Sequence, residues 1–595
     1  MATALRSPLL GSASREGRTA VATTTEGRAL FTRQSSGLVR EVSVTNALFF
    51  NASAFIGAGV GWYPVFYSLA FVPIGVAGFT TYGWGAIIVG AFCVLLALIF
   101  ASLTSVMPRS GGDYVFTTRI VPRVGPVLGW LESWTLAFAS LAIIAFEVPI
   151  VVRNLQITGR VIGIGTGSAF FTGANSWFTD DTGAVTGVPG FIASLVVLAL
   201  IALIAFQPVR RFHSIITGLA ILGLVGAAVM FVVGLVAINP ESFAANLPTY
   251  TGGLTVNQLA AAGATAGFKG DGLSLDPSTF AFIAGIVLLN YIGFQYSAYI
   301  SGEIRGNVRR GILVALIGAL LIAVLMNSVY TDLISYRLGL DAQVAWGAQY
   351  WGFITDPPLA LGQPNSMPLT GAIAAPGLWP IWTVVSLAVT LFPFLLCPVY
   401  VAFLSRVQLA WSLDRQVPEW FGAVSERLRA PANAIVAAIV VAAVFALFQN
   451  FAILPAIGLG FLAPVDGKLN LVSTLWFSIL AAGLTWIMPG VNALLVRFTR
   501  PDIAREAPWG SLLPILGIIW LVFSVILYWF AGINPILNFV GIGEAESQLD
   551  YLNRTGVTMT ILVFVAGIVI YAIQSFRNRR AGIDTSLMYQ ELPPD

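Results

Sequence analysis

The sequence predicts an all-α polytopic membrane protein of about twelve transmembrane helices, a 5+5 inverted repeat with discontinuous helices 1 and 6 plus helices 11 and 12. Three observations predict it. The 595 residues are 57% hydrophobic and only 10% charged, with a mean hydropathy of +0.85, whereas soluble domains carry about 25% charged residues. Apolar runs of about 20 residues, each long enough to cross about 30 Å of hydrocarbon, recur along the chain. Two of these runs are interrupted, by glycines at 57–61 and by polar residues at 290–295.

In chain order, residues 1–42 are rich in Ser, Thr, Gly, Ala and Arg, with no apolar segment after Arg6 of the kind a signal peptide needs. They read as a disordered cytoplasmic tail. Spans follow at approximately 44–72, 83–107, 124–152, 189–207, 212–238, 278–302, 311–334, 376–404, 432–450, 470–496, 511–531 and 556–576. The connections at 107–124, 207–212 and 302–311 are short and carry arginine, and those at 153–188, 239–277 and 335–375 are longer and rich in Gly, Thr, Asn, Asp and Pro. Residues 577–595 form a second cytoplasmic tail. Of the 30 basic residues, 24 fall on the side shared by the two termini and 6 (Arg153, Arg160, Lys269, Arg337, Lys468 and Arg554) on the other. This bias places both termini in the cytoplasm and favours an even number of spans.

The first break reads Gly57-Ala58-Gly59-Val60-Gly61. Each glycine costs about 1 kcal/mol against alanine in a helix, and unpaired backbone in hydrocarbon costs several more. Such a break is expected to face a cavity. The second reads Asn290-Tyr291-Ile292-Gly293-Phe294-Gln295-Tyr296-Ser297, with two amides flanking a glycine at mid-membrane depth. Spans 1 and 6 are five apart, so a five-span repeat has opposite orientations in its two copies, and paired breaks in inverted halves point to a transporter binding site. Repeat 1 then covers 43–238 and repeat 2 covers 278–498, with outer loops at 239–277 and 335–375, and 499–576 supplies the last two spans.

Motifs around both breaks carry a resemblance. Pro108-Arg109-Ser110-Gly111-Gly112-Asp113-Tyr114 resembles the PRSGGxY motif of the amino acid–polyamine–organocation (APC) superfamily, and Ile56 to Val60 resembles its first-helix glycine motif. Tyr291 to Gln295, then Gly302-Glu303-Ile304-Arg305-Gly306-Asn307, resembles its sixth-helix motif and the run after it, with Val308 where relatives have proline. Ser405-Arg406, Ala410, Asp414 and Val417-Pro418 resemble the stretch after its eighth helix. The resemblance covers roughly residues 40–530 and implies a LeuT-type fold and a permease for amino acids or related amines.

It also implies a site. The substrate carboxylate would sit on the N–H groups of Ile56, Gly57, Ala58, Gly59 and Val60, where the second half-helix begins with its positive dipole end. The amino group would meet carbonyls freed around Asn290, Tyr291 and Ile292, beside Gly293 and Phe294. Gln295 stands where relatives with cationic or polar substrates often have Glu, Asp or Asn. A neutral amide offers no fixed countercharge, which favours neutral zwitterionic substrates over arginine or polyamines. Trp62-Tyr63-Pro64 departs from the apolar pair usual after the break, and reads either as a lid or as packing.

The coupling ion stays open between H+ and Na+. Glu132 and Glu147 lie in the third span, about 22 Å apart along one face of a helix. They read either as interfacial acids or as proton-binding carboxylates, Glu132 being the deeper. Ser386 and Thr390, spaced i, i+4 in the eighth span, read either as hydroxyls bonded back to their helix or as sodium ligands. One histidine, His213, and two intramembrane cysteines, Cys93 and Cys397, make a transition-metal site and a disulfide improbable readings. No cofactor motif, zinc pattern or nucleophile–base pair marks an enzyme, and no nucleic-acid partner is expected. A permease working as symporter or antiporter is the expected function. An organocation or polyamine transporter, a substrate sensor and a channel are the alternatives. Oligomeric state is left open.

Overall fold

Apolar composition makes helices here because every backbone polar group in hydrocarbon must be satisfied within its own segment. The computed structural model describes residues 36–55, 80–173, 177–179, 185, 187–266, 287–288, 290–330, 332, 339–351, 354–358, 366–449, 477–529, 548–583 and 585–593. Its helices are α1 (Val44–Phe55), α2 (Thr81–Val106), α3 (Asp113–Ile120), α4 (Gly125–Thr166), α5 (Gly187–Ala205), α6 (Val209–Ala237), α7 (Pro240–Thr251), α8 (Val256–Thr265), α9 (Val308–Leu325), α10 (Leu340–Trp351), α11 (Met367–Ala374), α12 (Trp379–Leu413), α13 (Ala432–Gln449), α14 (Gly483–Thr499), α15 (Leu513–Tyr528), α16 (Gln548–Arg580) and α17 (Thr585–Met588). A two-residue hairpin, Val424–Ser425 against Ala430–Pro431, lies between α12 and α13. Among the described residues eight helices are long and apolar enough to cross a membrane, and two shorter ones, Ala432–Ala446 and Leu513–Tyr528, are equally apolar.

The two longest of these, α4 and α12, pack on each other at the centre. Around them, α6, α13 and α1 lie on α12, while α9 lies on both α1 and α2, and α14 on α15. Small residues set the closest approach: a Cβ built on Gly226 of α6 would overlap that of Ala388 in α12. Leu203, Val236, Ile515, Leu562 and Phe576 stand exposed on the outer helices, as a lipid-facing surface requires. Cys93 and Cys397 are both buried free thiols.

Several element ends differ from the sequence expectation. The third span was expected to end at 152, yet α4 continues to Thr166. Arg153 is buried there over the Tyr350 ring at 4.7 Å, and Arg160 donates to the carbonyls of Thr172 (2.5 Å) and Tyr250 (3.3 Å), so neither arginine ends the helix. The eighth span runs to Leu413 rather than 404, because Glu303 neutralises Arg406 within it at 2.7 Å. The long connections hold helices: α7 and α8 within 239–277, each started by a side-chain cap from Asn239 or Thr255, and α10 and α11 within 335–375.

Candidate functional site

The sixth span loses its helix where the amides and glycine stand. Beyond Asn290 the chain turns through 291–295 and resumes only as short 3-10 segments, Tyr296–Ala298 and Ser301–Glu303. Gly293 sits at φ +108, and a Cβ there would lie 2.5 Å from the Cβ of Ala54, so glycine is needed both for the turn and for the approach of α1. Among the described residues the carbonyls of Asn290 and Ile292 accept no hydrogen bond. Freed backbone carbonyls of this kind are what a substrate ammonium needs.

The flanking side chains are fixed. The Asn290 amide donates to the Tyr82 hydroxyl of α2 at 2.5 Å, and the Tyr291 hydroxyl donates to the Ala86 carbonyl at 2.8 Å. Gln295 is fully buried; its Oε1 accepts from the Gly293 N–H at 3.2 Å and its Nε2 has no partner among the described residues. Tyr291, Ile292 and Phe294 are buried alongside. Two reciprocal bonds then lock α1 to this break: Asn51 Nδ2 donates to Ser297 Oγ at 2.9 Å, and the Ser297 N–H donates to Asn51 Oδ1 at 2.6 Å. The segments beside the two broken spans also join, Val42 N–H to the Glu303 carbonyl at 2.9 Å and Arg305 N–H to the Val42 carbonyl at 3.0 Å. The described part of α1 thus reaches the sixth-span break, with Ala54 against Gly293. Ile56, Gly57, Ala58, Gly59 and Val60 lie outside the described residues, as do Trp62 and Tyr63.

The two acids of α4 are both buried. Because α4 runs to Thr166, Glu147 lies in mid-helix rather than at an outer end. Glu132 Oε2 accepts from Thr117 Oγ1 at 2.6 Å, and that hydroxyl accepts from Asn492 Nδ2 of α14 at 2.8 Å. Asp113, at the start of α3, is fully buried beside Glu132 and Tyr299. Burial pushes the Asp113 carboxyl up to about 6, against the opposing pull of the Tyr114 N–H bonded to its Oδ1.

In α12, Thr390 donates to the Ser386 carbonyl at 2.6 Å, and the Ser386 hydroxyl pairs with that of Thr158 at 2.7 Å. These two hydroxyls are engaged with the protein itself.

The motif residues meet in space. Gly111 and Gly112 have no room for side chains: a Cβ would lie 2.6 Å from Ala410 or 2.7 Å from the Tyr299 ring. Arg119 makes a bidentate pair with Asp414 (2.6 and 2.7 Å), and Tyr114 donates to the same carboxylate at 2.8 Å. Sequence reasoning missed Asn51, Ser297, Asp113, Tyr299 and Asn492 as parts of these sites. Asn51 is a polar residue in an apolar helix, a usable signal. Asp113 occupies the variable position of its motif and gives none.

A family model described as amino acid permease matches residues 43–543 of the chain. A curated relative, the branched-chain amino acid permease BcaP of Lactococcus lactis subsp. cremoris (strain MG1363), is 25% identical over 444 residues, which cover 73% of this chain and 78% of the relative.

Proposed function

The chain belongs to the amino acid permease family of the APC superfamily, and from that premise we propose that it moves neutral, zwitterionic amino acids across the plasma membrane by alternating access. The observation that carries the reading is the broken sixth span, where the carbonyls of Asn290 and Ile292 accept no hydrogen bond among the described residues and Ala54 of α1 packs against Gly293. In this reading the substrate ammonium rests on the carbonyls around Asn290, Tyr291 and Ile292, and the carboxylate on the N–H groups of Ile56 to Val60. Tyr291, Ile292 and Phe294 give apolar surface, and Gln295 supplies an amide without charge. The branched-chain substrates in the relative's name suit such a surface.

The 24-to-6 distribution of basic residues supports twelve spans with both termini in the cytoplasm. Repeats at 43–238 and 278–498 would rock their broken helices against the remaining spans, with 499–576 as an appendage. Of the two coupling routes, the buried Glu132 supports a proton, while Ser386 and Thr390 are engaged elsewhere.

The test is uptake by the purified protein in proteoliposomes. Radiolabelled leucine should accumulate against its gradient, and unlabelled isoleucine and valine should compete. Accumulation separates a transporter from a channel or sensor. Tight agmatine or spermidine uptake without competition from neutral amino acids would overturn the substrate assignment.

A further inference from the structure

We propose that Asp113 and Glu132 together form a one-proton binding site under Tyr299, filled while the arginine-rich face is closed and emptied into the cytoplasm when the sixth span moves away. The inference rests on the transporter reading above and names the group that would carry its proton.

The geometry comes first. Asp113, Thr117, Glu132, Tyr299 and Asn492 are all buried at 0% exposure. They arrive from four elements: α3, α4, the sixth span and α14. Each carboxylate has one engaged oxygen. Asp113 Oδ1 accepts from the Tyr114 N–H at 2.8 Å, and Glu132 Oε2 accepts from Thr117. Among the described residues the other oxygens, Asp113 Oδ2 and Glu132 Oε1, have no hydrogen-bond partner, and neither does the Tyr299 hydroxyl. Tyr299 interacts with both carboxylates, and they with each other. Three orphaned polar atoms therefore share one buried site.

Among the described residues no cation neutralises the pair. On α3, Arg119 is held by Asp414, and Tyr114 donates to the same acid. On α12, Arg406 is held by Glu303 through bonds of 2.7 and 2.9 Å. From the sixth span the titratable groups facing the pair are Tyr299 and, one turn back, Tyr296. Two carboxylates without a countercharge in a site of low dielectric cannot both ionise, so the pair retains one proton. The raised Asp113 carboxyl is consistent with that.

The site straddles a seam. The Tyr299 ring covers Gly112, and the Tyr299 carbonyl accepts the Gly111 N–H at 3.2 Å. Displacing the sixth span removes this cover and wets the pair. Hydrated carboxylates ionise near pH 4, so the proton leaves to the cytoplasm. When the seam closes again, a proton must be taken up before both acids can be buried.

The experiment uses full-length protein in proteoliposomes containing a pH dye, with labelled leucine as probe. With one proton per leucine, an inward gradient of one pH unit should sustain up to about tenfold accumulation. Asp113→Asn and Glu132→Gln should each bring accumulation to about onefold and abolish leucine-driven acidification of the lumen. Tyr299→Phe, which keeps the ring over Gly112, should move the pH midpoint of uptake and retain coupling. Proton-driven accumulation that survives in both carboxylate variants, or a midpoint unmoved in Tyr299→Phe, overturns the proposal and leaves proton coupling intact. Wild-type accumulation driven by sodium with no response to pH overturns proton coupling itself.

Discussion

Replacing Asp414 tests how the packing of this fold is held together. Its carboxylate accepts bonds of 2.6 and 2.7 Å from Arg119 and of 2.8 Å from the Tyr114 hydroxyl. All three residues are buried, so the pair is out of reach of counterions. In Asp414→Leu the guanidinium is stranded in a dry site, which costs about 3–5 kcal/mol. Arg119→Met strands the carboxylate at a similar cost. In the double variant neither charge remains, and it should be more stable than either single one. A coupling of about 2–3 kcal/mol or more is expected. The assay is reversible unfolding in mixed micelles, followed by tryptophan fluorescence, of the wild type and the three variants. The cost should be the same at low and high salt. A single-variant cost below about 1 kcal/mol, or strict additivity in the double variant, would refute the reasoning, since exposed pairs give values of that size.

Three further outcomes follow from the same contacts. Gly226→Ala in α6 should lose about 1–3 kcal/mol by overpacking against Ala388, and Ala388→Gly in that background should restore most of it, read by thermal unfolding. Tyr589, buried where Gln416 donates to its hydroxyl at 2.6 Å and Arg119 lies 5.3 Å from its ring centre, should cost about 3 kcal/mol when changed to alanine. The Asp113 carboxyl, raised to about 6, binds its proton more tightly in the folded protein than in the unfolded chain. Its contribution to stability therefore falls as pH rises from about 4 through 6, and Asp113→Asn should flatten the dependence of melting temperature on pH in that window.

Helix positions were largely legible because lipid enforces long apolar runs: α5 at 187–205 and α6 at 209–237 lie within a few residues of their expected spans. The helices that run past their expected spans share a cause. The chain stays helical through Arg153, Arg160 and Arg406 because each is satisfied by a ring, a carbonyl or a carboxylate elsewhere in the protein. The break at Gly293 was legible from local chemistry alone, since glycine between two amides is out of place in hydrocarbon. The pairing of Asp113 with Glu132 was not. They stand nineteen positions apart, and only the turn from α2 through Gly111 and Gly112 into α3 brings one carboxyl onto the other. Glycine spacing announces a tight turn without saying which side chain it carries inward.

The bonds around that turn also say where the protein can part. On one side Asp414 ties α3 to α12 by two bonds from Arg119 and one from Tyr114, all charge-assisted and no longer than 2.8 Å. On the other, the turn meets the sixth span through Gly111 N–H to the Tyr299 carbonyl and Ser301 Oγ to the Arg109 carbonyl, both neutral and both 3.2 Å, while the buried Glu303–Arg406 pair (2.7 and 2.9 Å) ties the sixth span to α12. Neutral bonds contribute about 1 kcal/mol each and those to a charged partner about 1.5–3, so opening the seam at Tyr299 turns on releasing Arg406 from Glu303 rather than on the two neutral bonds, while Asp414 keeps α3 on α12. Spin labels at Arg123→Cys and Arg305→Cys should move apart under conditions that open the arginine-rich face, while labels at Arg123→Cys and Glu419→Cys should keep their distance. These three positions are exposed, and both native cysteines are buried. Lengthening of the second distance with the first unchanged would place the seam between α3 and α12 instead. The proton site under Tyr299 would then stay dry in both states of the transporter.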